Sequence, residues 1–148
     1  MLVTATKTGE TDDILIQVDQ MISDFTTGAI AIGDTLTCVQ LDQERVLGID
    51  YPEPSMAMGT SPAVLCLCIE NIIVVLVRKK GFIVAHEYSE GNLSVIGQNR
   101  VESYIIDGAI REGEVSGEIE VVLMLMHSEN HKDGHIAVIN FSRPGGLM

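Results

Sequence analysis

Residues 72–86 constrain the fold more than any other part of this 148-residue chain. Six apolar residues, Ile72–Val77, run into Arg78-Lys79-Lys80-Gly81 and out again into Phe82-Ile83-Val84-Ala85-His86. An apolar run, a short turn with glycine and a second apolar run form the pattern of an antiparallel hairpin. A competing pattern overlaps it. Ser61 has the chemistry of an N-cap, Pro62 suits a first helical position, and Lys79-Lys80-Gly81 resembles a helix end. Residues 62–77 therefore also fit a buried helix. Against the helix stand the β-branched Ile69, Ile72, Ile73, Val74, Val75 and Val77, with Glu70-Asn71 as a plausible turn. Strands are the better account of the segment, and the buried helix stays as the alternative.

Around this hairpin the pattern is mixed. Residues 1–10 are polar and without period, which predicts a flexible N-terminal tail. Thr11-Asp12-Asp13 resembles a helix start, and Ile14, Leu15, Val18, Met21, Ile22 and Phe25 follow at gaps of three and four. Residues 29–38 read as one or two strands around Gly33-Asp34, and residues 46–49 as a short strand. Residues 50–60, with Pro52, Pro54 and Gly59, read as a loop, and residues 89–92 as a turn. Residues 99–111 read as a second helix, with Val101, Tyr104, Ile105 and Ile110 near one face. Glu118–Met126 and residues 136–141 read as strands joined by a polar loop. Strands cluster and helices do not alternate with them. The expectation is therefore an α+β fold: one domain over 11–148, a mostly antiparallel sheet or sandwich, and two helices.

The charge is uneven. Nine basic residues face 21 acidic ones, a net of −12. Residues 1–60 hold 10 acids and 2 bases, residues 61–90 three of each, and residues 91–148 eight acids and 4 bases. The one basic cluster is Arg78-Lys79-Lys80. That argues against nucleic acid and anionic membranes as ligands, because phosphates are neutralised by clustered Lys and Arg. No run approaches the ~20 apolar residues of a membrane-spanning helix. No basic segment followed by an apolar stretch marks a secretory signal. Three cysteines are an odd number and suit free thiols in a reducing compartment, so the expectation is cytoplasmic.

Two constellations could carry chemistry. Cys66 and Cys68 are two apart on a presumed strand and share a face. His86 lies on a later strand of the same presumed sheet. A Cys–His pair within hydrogen-bond reach would supply a thiolate nucleophile. The alternative is that the cysteines are small core residues and His86 a satisfied or surface histidine. The second constellation is His127, His131 and His135, spaced by four. At the two ends of a hairpin His127 and His135 could face one another, with His131, Glu129 or Asp133 closing a Zn²⁺ or Ni²⁺ site. A solvated loop around Asp133-Gly134 explains the same residues without a metal. Met124 and Met126 read as core filling, and Met56 and Met58 as candidates for the rim of a cleft or interface. No GxGxxG, GxxxxGK[ST] or GxSxG motif is present, so no cofactor is called for.

The stretch AVLCLCIENIIVVLVRKKGFIVAHEYSEG, followed by VIGQNRVESYIIDGAI and a strand hairpin, resembles the bacterial glutamine deamidases. These comprise the chemoreceptor deamidases (CheD) and the catalytic domain of the cytotoxic necrotizing factors. The resemblance implies an α/β sandwich and a protein glutamine side chain as substrate. It implies His86 as base, Cys68 or Cys66 as nucleophile, and Thr60 as the third, orienting group. The chain departs from that family's pattern where Leu65 and Leu67, not small residues, flank the cysteine.

Three functions follow as expectations. The first is a non-catalytic interaction or regulatory module that binds a protein partner or self-associates, since the apolar content exceeds what one small core needs. The second is a cysteine-dependent, deamidase-like hydrolase. The third is a small metal-binding protein built on residues 127–135.

Overall fold

Burial on both faces governs the arrangement. In a computed structural model, which describes residues 2–8, 13–23, 26–41, 51, 63–126 and 134–144, every residue of Ile72–Val77 is buried. Such a strand needs a cover on each side, and each fully buried Ile, Leu or Val contributes about 1.5–3 kcal/mol. The described chain supplies both covers as antiparallel sheets. Ten strands are described, in chain order: β1 Leu2–Thr8, β2 Asp13–Ser23, β3 Ile30–Leu41, β4 Val64–Ile69, β5 Ile72–Val77, β6 Phe82–Ser89, β7 Asn92–Arg100, β8 Tyr104–Glu112, β9 Glu118–Met126 and β10 Gly134–Ser142. They form a central sheet β4-β5-β6-β7 and two three-stranded sheets, β1-β2-β3 and β10-β9-β8.

The two faces of β5 and β6 go to different layers. Ile72, Val74, Leu76, Ile83 and Ala85 pack against Ile105, Ile119, Val121, Leu123 and Phe141 of the β8–β10 sheet. Ile73, Val75, Val77, Phe82 and Val84 pack against Ile14, Ile16 and Val18 of β2. The result is three stacked sheets with two apolar seams.

The α+β expectation is therefore wrong: the described chain is antiparallel sheet, with one 3-10 turn, Arg78–Lys80, and no α-helix. The helix expected from Ile14 onward is strand β2. Positions 14, 18 and 22 satisfy both a period of 3.6 and a period of 2, so they do not discriminate. Ile16 does. A helix would turn it away from Ile14, whereas a strand puts both on one face, and Ile16 is 0% exposed beside Ile14 and Val18. The helix expected over 99–111 is the end of β7, a turn and β8. Gly108 decides that segment, because it weakens a helix by about 1 kcal/mol. In β8 it admits a close neighbour: a Cβ there would lie 2.7 Å from Leu76 Cδ1. The α/β sandwich implied by the deamidase resemblance fails on the same grounds. Leu2–Thr8, read as tail, pairs with β2 from Leu2↔Asp19 to Thr8↔Asp13. Within residues 62–77, where strands are the better account and a buried helix the alternative, the described part carries β4, the Glu70-Asn71 turn and β5. The strand expected over 46–49 and nearly all of the 50–60 loop lie outside the described residues.

The β5–β6 turn ties the central sheet to β8. Arg78 is buried, its Nε donates to Ile105 O at 3.0 Å and its Nη2 to Ile106 O at 2.6 Å. The guanidinium also lies 5.2 Å from the Tyr104 ring centre, over its face. Ile106 is the extra residue of a bulge between Ile105 and Asp107, which turns its carbonyl out of the ladder and toward the arginine. Next to it Gly81 sits at φ +62°, and its carbonyl accepts from Val101 N at 2.8 Å. A Cβ at Gly81 would fall 2.2 Å from Val101 O and 2.8 Å from Ser103 O. Left-handed backbone costs a non-glycine residue about 1–2 kcal/mol and overpacking typically adds about 1–3. Gly81→Ala should therefore lose about 2–5 kcal/mol of stability in equilibrium urea unfolding. Gly91→Ala, at φ +80° with nothing near its Cβ position, should lose only the backbone part.

Candidate functional site

The two thiols come together, and the histidine does not join them. Register pairs Cys66 with Val75 and Cys68 with Ile73. It pairs Ile73 in turn with His86. Cys68, Ile73 and His86 thus stand in one row across three strands, on one face. Neighbouring strands are about 4.8 Å apart, so the Cα atoms of Cys68 and His86 are about 10 Å apart with Ile73 between them. His86 is 0% exposed, inside the seam with β2, while Cys68 lies at the open border of the sheet. A substrate amide reaching the thiol would not touch this imidazole.

The thiol pair has chemistry of its own. Cys66 and Cys68 share the face of edge strand β4 that packs toward β2, with Cys66 half-buried against that seam and Cys68 exposed. The two side chains hydrogen-bond to one another. Cys66 donates, so its thiol is held protonated, pushed far up by that bond and by burial. Cys68 accepts, and its thiolate is stabilised, so its pKa is lowered against the opposing effect of burial. One exposed sulfur with thiolate character, supported by a protonated neighbour, is the reactive arrangement expected of a nucleophilic or metal-binding cysteine.

Of the remaining candidates, Thr60, His127 and His131 lie outside the described residues, as do Met56 and Met58. His135 is exposed at the start of β10, opposite Leu125. Among the described residues no group of three or more metal-ligating side chains is assembled, and no helix is long and apolar enough to cross a membrane. Met124, expected in the core, is exposed on the outer face of the β8–β10 sheet with Ile136 and Val138. Asp107 and the Arg111–Glu120 ion pair, at 2.6 Å, border that patch.

Sequence reasoning missed a second apolar surface. β1 pairs with β2 only as far as Asp19, whereas β2 and β3 continue together to Ser23↔Ile30. Beyond Asp19, among the described residues, β2 is paired with β3 alone. Met21, Ile22, Ile30 and Ile32 are all exposed along this ribbon, Ile30 at 66% and Ile32 at 65%. Met21 pairs with Ile32 and both share a face with Ile30. The signal was present in the alternation of Ile30 and Ile32, but Met21 and Ile22 were absorbed into the expected helix.

Comparisons with known proteins add no relative: no protein-family model, curated protein or solved structure matches this chain.

The thiol geometry makes a direct prediction for alkylation of the native protein. Cys68 should label faster than Cys66. Cys66→Ala removes the donor that stabilises the Cys68 thiolate, so the rate-against-pH curve of Cys68 should move to higher pH. His86→Ala should leave that curve in place, because Ile73 separates the two side chains. A curve that moves with His86 and not with Cys66 would overturn the arrangement.

Proposed function

We propose that this protein is a non-catalytic interaction module that self-associates through the β2–β3 ribbon. The observation that carries the proposal is the ribbon's exposed apolar surface. A two-stranded ribbon is marginally stable in water on its own, and a third strand or a packed face is needed to hold it. Past Asp19 the described residues offer it neither. Among the described residues the edge over 20–23 has no further strand beside it, and it carries none of the lysines, prolines or inward charges that usually block edge pairing. An extended edge of this kind accepts another strand by main-chain hydrogen bonding.

Charge favours a second copy as the occupant. Residues 20–33 contain a single charged side chain, Asp24, in a chain of net −12. Two like-charged copies repel least where they meet through that segment. The apolar patch on the β8–β10 sheet is less suited, since charged side chains border it. A closed two-fold contact, ribbon to ribbon, would bury Met21, Ile30 and Ile32 of both copies. The three free cysteines fit a reducing compartment such as the cytoplasm.

Sedimentation equilibrium at micromolar concentration tests this. The parent chain should be a dimer or higher oligomer, and the Ile30→Lys/Ile32→Lys variant a monomer with unchanged far-UV circular dichroism. A monomeric parent would overturn self-association and turn the search to a different protein partner. An oligomer indifferent to the lysines would move the contact to another surface.

A further inference from the structure

We propose that Cys66 and Cys68 form a two-thiolate binding site for a soft monovalent cation, Cu(I). The site is independent of the ribbon and of self-association. Its frame is rigid: β4 is held to β5 by an unbroken register from Val64↔Val77 to Ile69↔Ile72, and position 66 is anchored in the seam with β2. Position 68 is open to solvent, which gives the ion an entry path.

Spacing separates the two things a pair of thiols can do here. Residues two apart on a strand have Cα atoms about 6.7 Å apart. Disulfides span about 4.4–6.8 Å between Cα atoms and hold their sulfurs about 2.05 Å apart. A disulfide across this pair would therefore sit at the long limit of its range and carry strain. An ion between the sulfurs removes the strain, because two thiolate–metal bonds of about 2.3 Å each separate them by up to about 4.6 Å. The two side chains leave the same face of one strand, Cys66 half-buried and Cys68 exposed.

Ligand number then selects the ion. Structural Zn²⁺ takes four ligands, and among the described residues this strand offers two sulfurs and no third metal-ligating side chain. Hard cations prefer oxygen, and soft thiolates select Cu(I). Two-coordinate, near-linear binding by two thiolates satisfies Cu(I). The reaction is a ligand exchange without electron transfer. Two S–Cu bonds form as the bonds from Cu(I) to its chelator break, the chelator leaves, and any thiol still protonated passes its proton to solvent. The exposed Cys68 sulfur meets the ion first and the half-buried Cys66 sulfur closes the site.

The test is an anaerobic titration of the full chain with Cu(I) against bathocuproine disulfonate, a coloured Cu(I) chelator. It would use the parent and the variants Cys38→Ser, Cys66→Ser and Cys68→Ser. The parent and Cys38→Ser should each withdraw one equivalent of Cu(I) with the same affinity. Changes in groups that merely support metal ligands cost 10–100-fold in affinity, so loss of a direct ligand should cost at least about 100-fold in Cys66→Ser and Cys68→Ser. Cys68 is exposed, so its variant keeps the fold and remains decisive if Cys66→Ser is unstable. Unchanged affinity in Cys68→Ser, or an equal loss in Cys38→Ser, would overturn the site.

Discussion

The structure depends on one pair of strands having no side left for water. β5 and the first half of β6 are buried on both faces, with Ile72 through Val77 and Phe82 through His86 all inside. Antiparallel sheets usually turn one face to solvent, and their strands then alternate apolar with polar residues. Here the alternation is missing, and that forces two further layers onto the sheet. β2 answers one face with Ile14, Ile16 and Val18. β8, β9 and β10 answer the other with Ile105, Ile119, Leu123 and Phe141.

Stacking alone leaves sheets free to slide, and polar contacts at the borders set the alignment. Arg78 reaches from the β5–β6 turn to two carbonyls of β8, using a bulge in that strand to meet them. At the opposite end of β5, Arg143 pairs with Glu70 of the β4–β5 turn at 2.8 Å and with Glu112 of β8 at 2.6 Å. The two anchors differ in strength. The Arg143 pairs are solvated and contribute about 0–1 kcal/mol each. The Arg78 contacts are buried and charge-assisted, and removing the side chain would strand carbonyls away from water. Glycines complete the fit, since Gly97 gives room to Phe141 and Gly108 to Leu76.

The hairpin at the centre was legible because turn chemistry and apolar runs agreed there. Elsewhere local pattern and tertiary demand diverged. The helix expected from Ile14 rested on residues that both periods accept, and the discriminating Ile16 means little until a second sheet needs covering. β1 was illegible for a related reason: Leu2–Thr8 has few apolar residues, and only pairing with β2 gives it order. At the candidate site the shared face of Cys66 and Cys68 was legible from spacing. Their separation from His86 was also latent in the sequence. If 64–69, 72–77 and 82–86 are consecutive hairpin strands, the first and third are never neighbours, and one residue of the second must stand between them. What spacing could not supply was the depth of each group, which the flanking layers set: His86 inside the seam, Cys68 at its open border.

That difference in depth sorts chemistry from support across the molecule. The central layer gains stability by excluding water, and whatever it encloses loses access to ligands. Accessible groups then lie on the outer faces and borders of the stack, among them edge strand β4, the outer face of the β8–β10 sheet and the ribbon beyond Asp19. Electrostatics sharpens the distinction. At physiological ionic strength charges are screened over about 8 Å, so a net of −12 opposes association only where acidic side chains come within that range of each other. Much of the surface of this chain carries such side chains. Residues 20–33 contain one acid, Asp24, with Asp19 and Asp34 flanking them, and the described part presents Met21, Ile30 and Ile32. Charge repulsion between two copies is therefore weaker along this segment than along stretches where acids are denser.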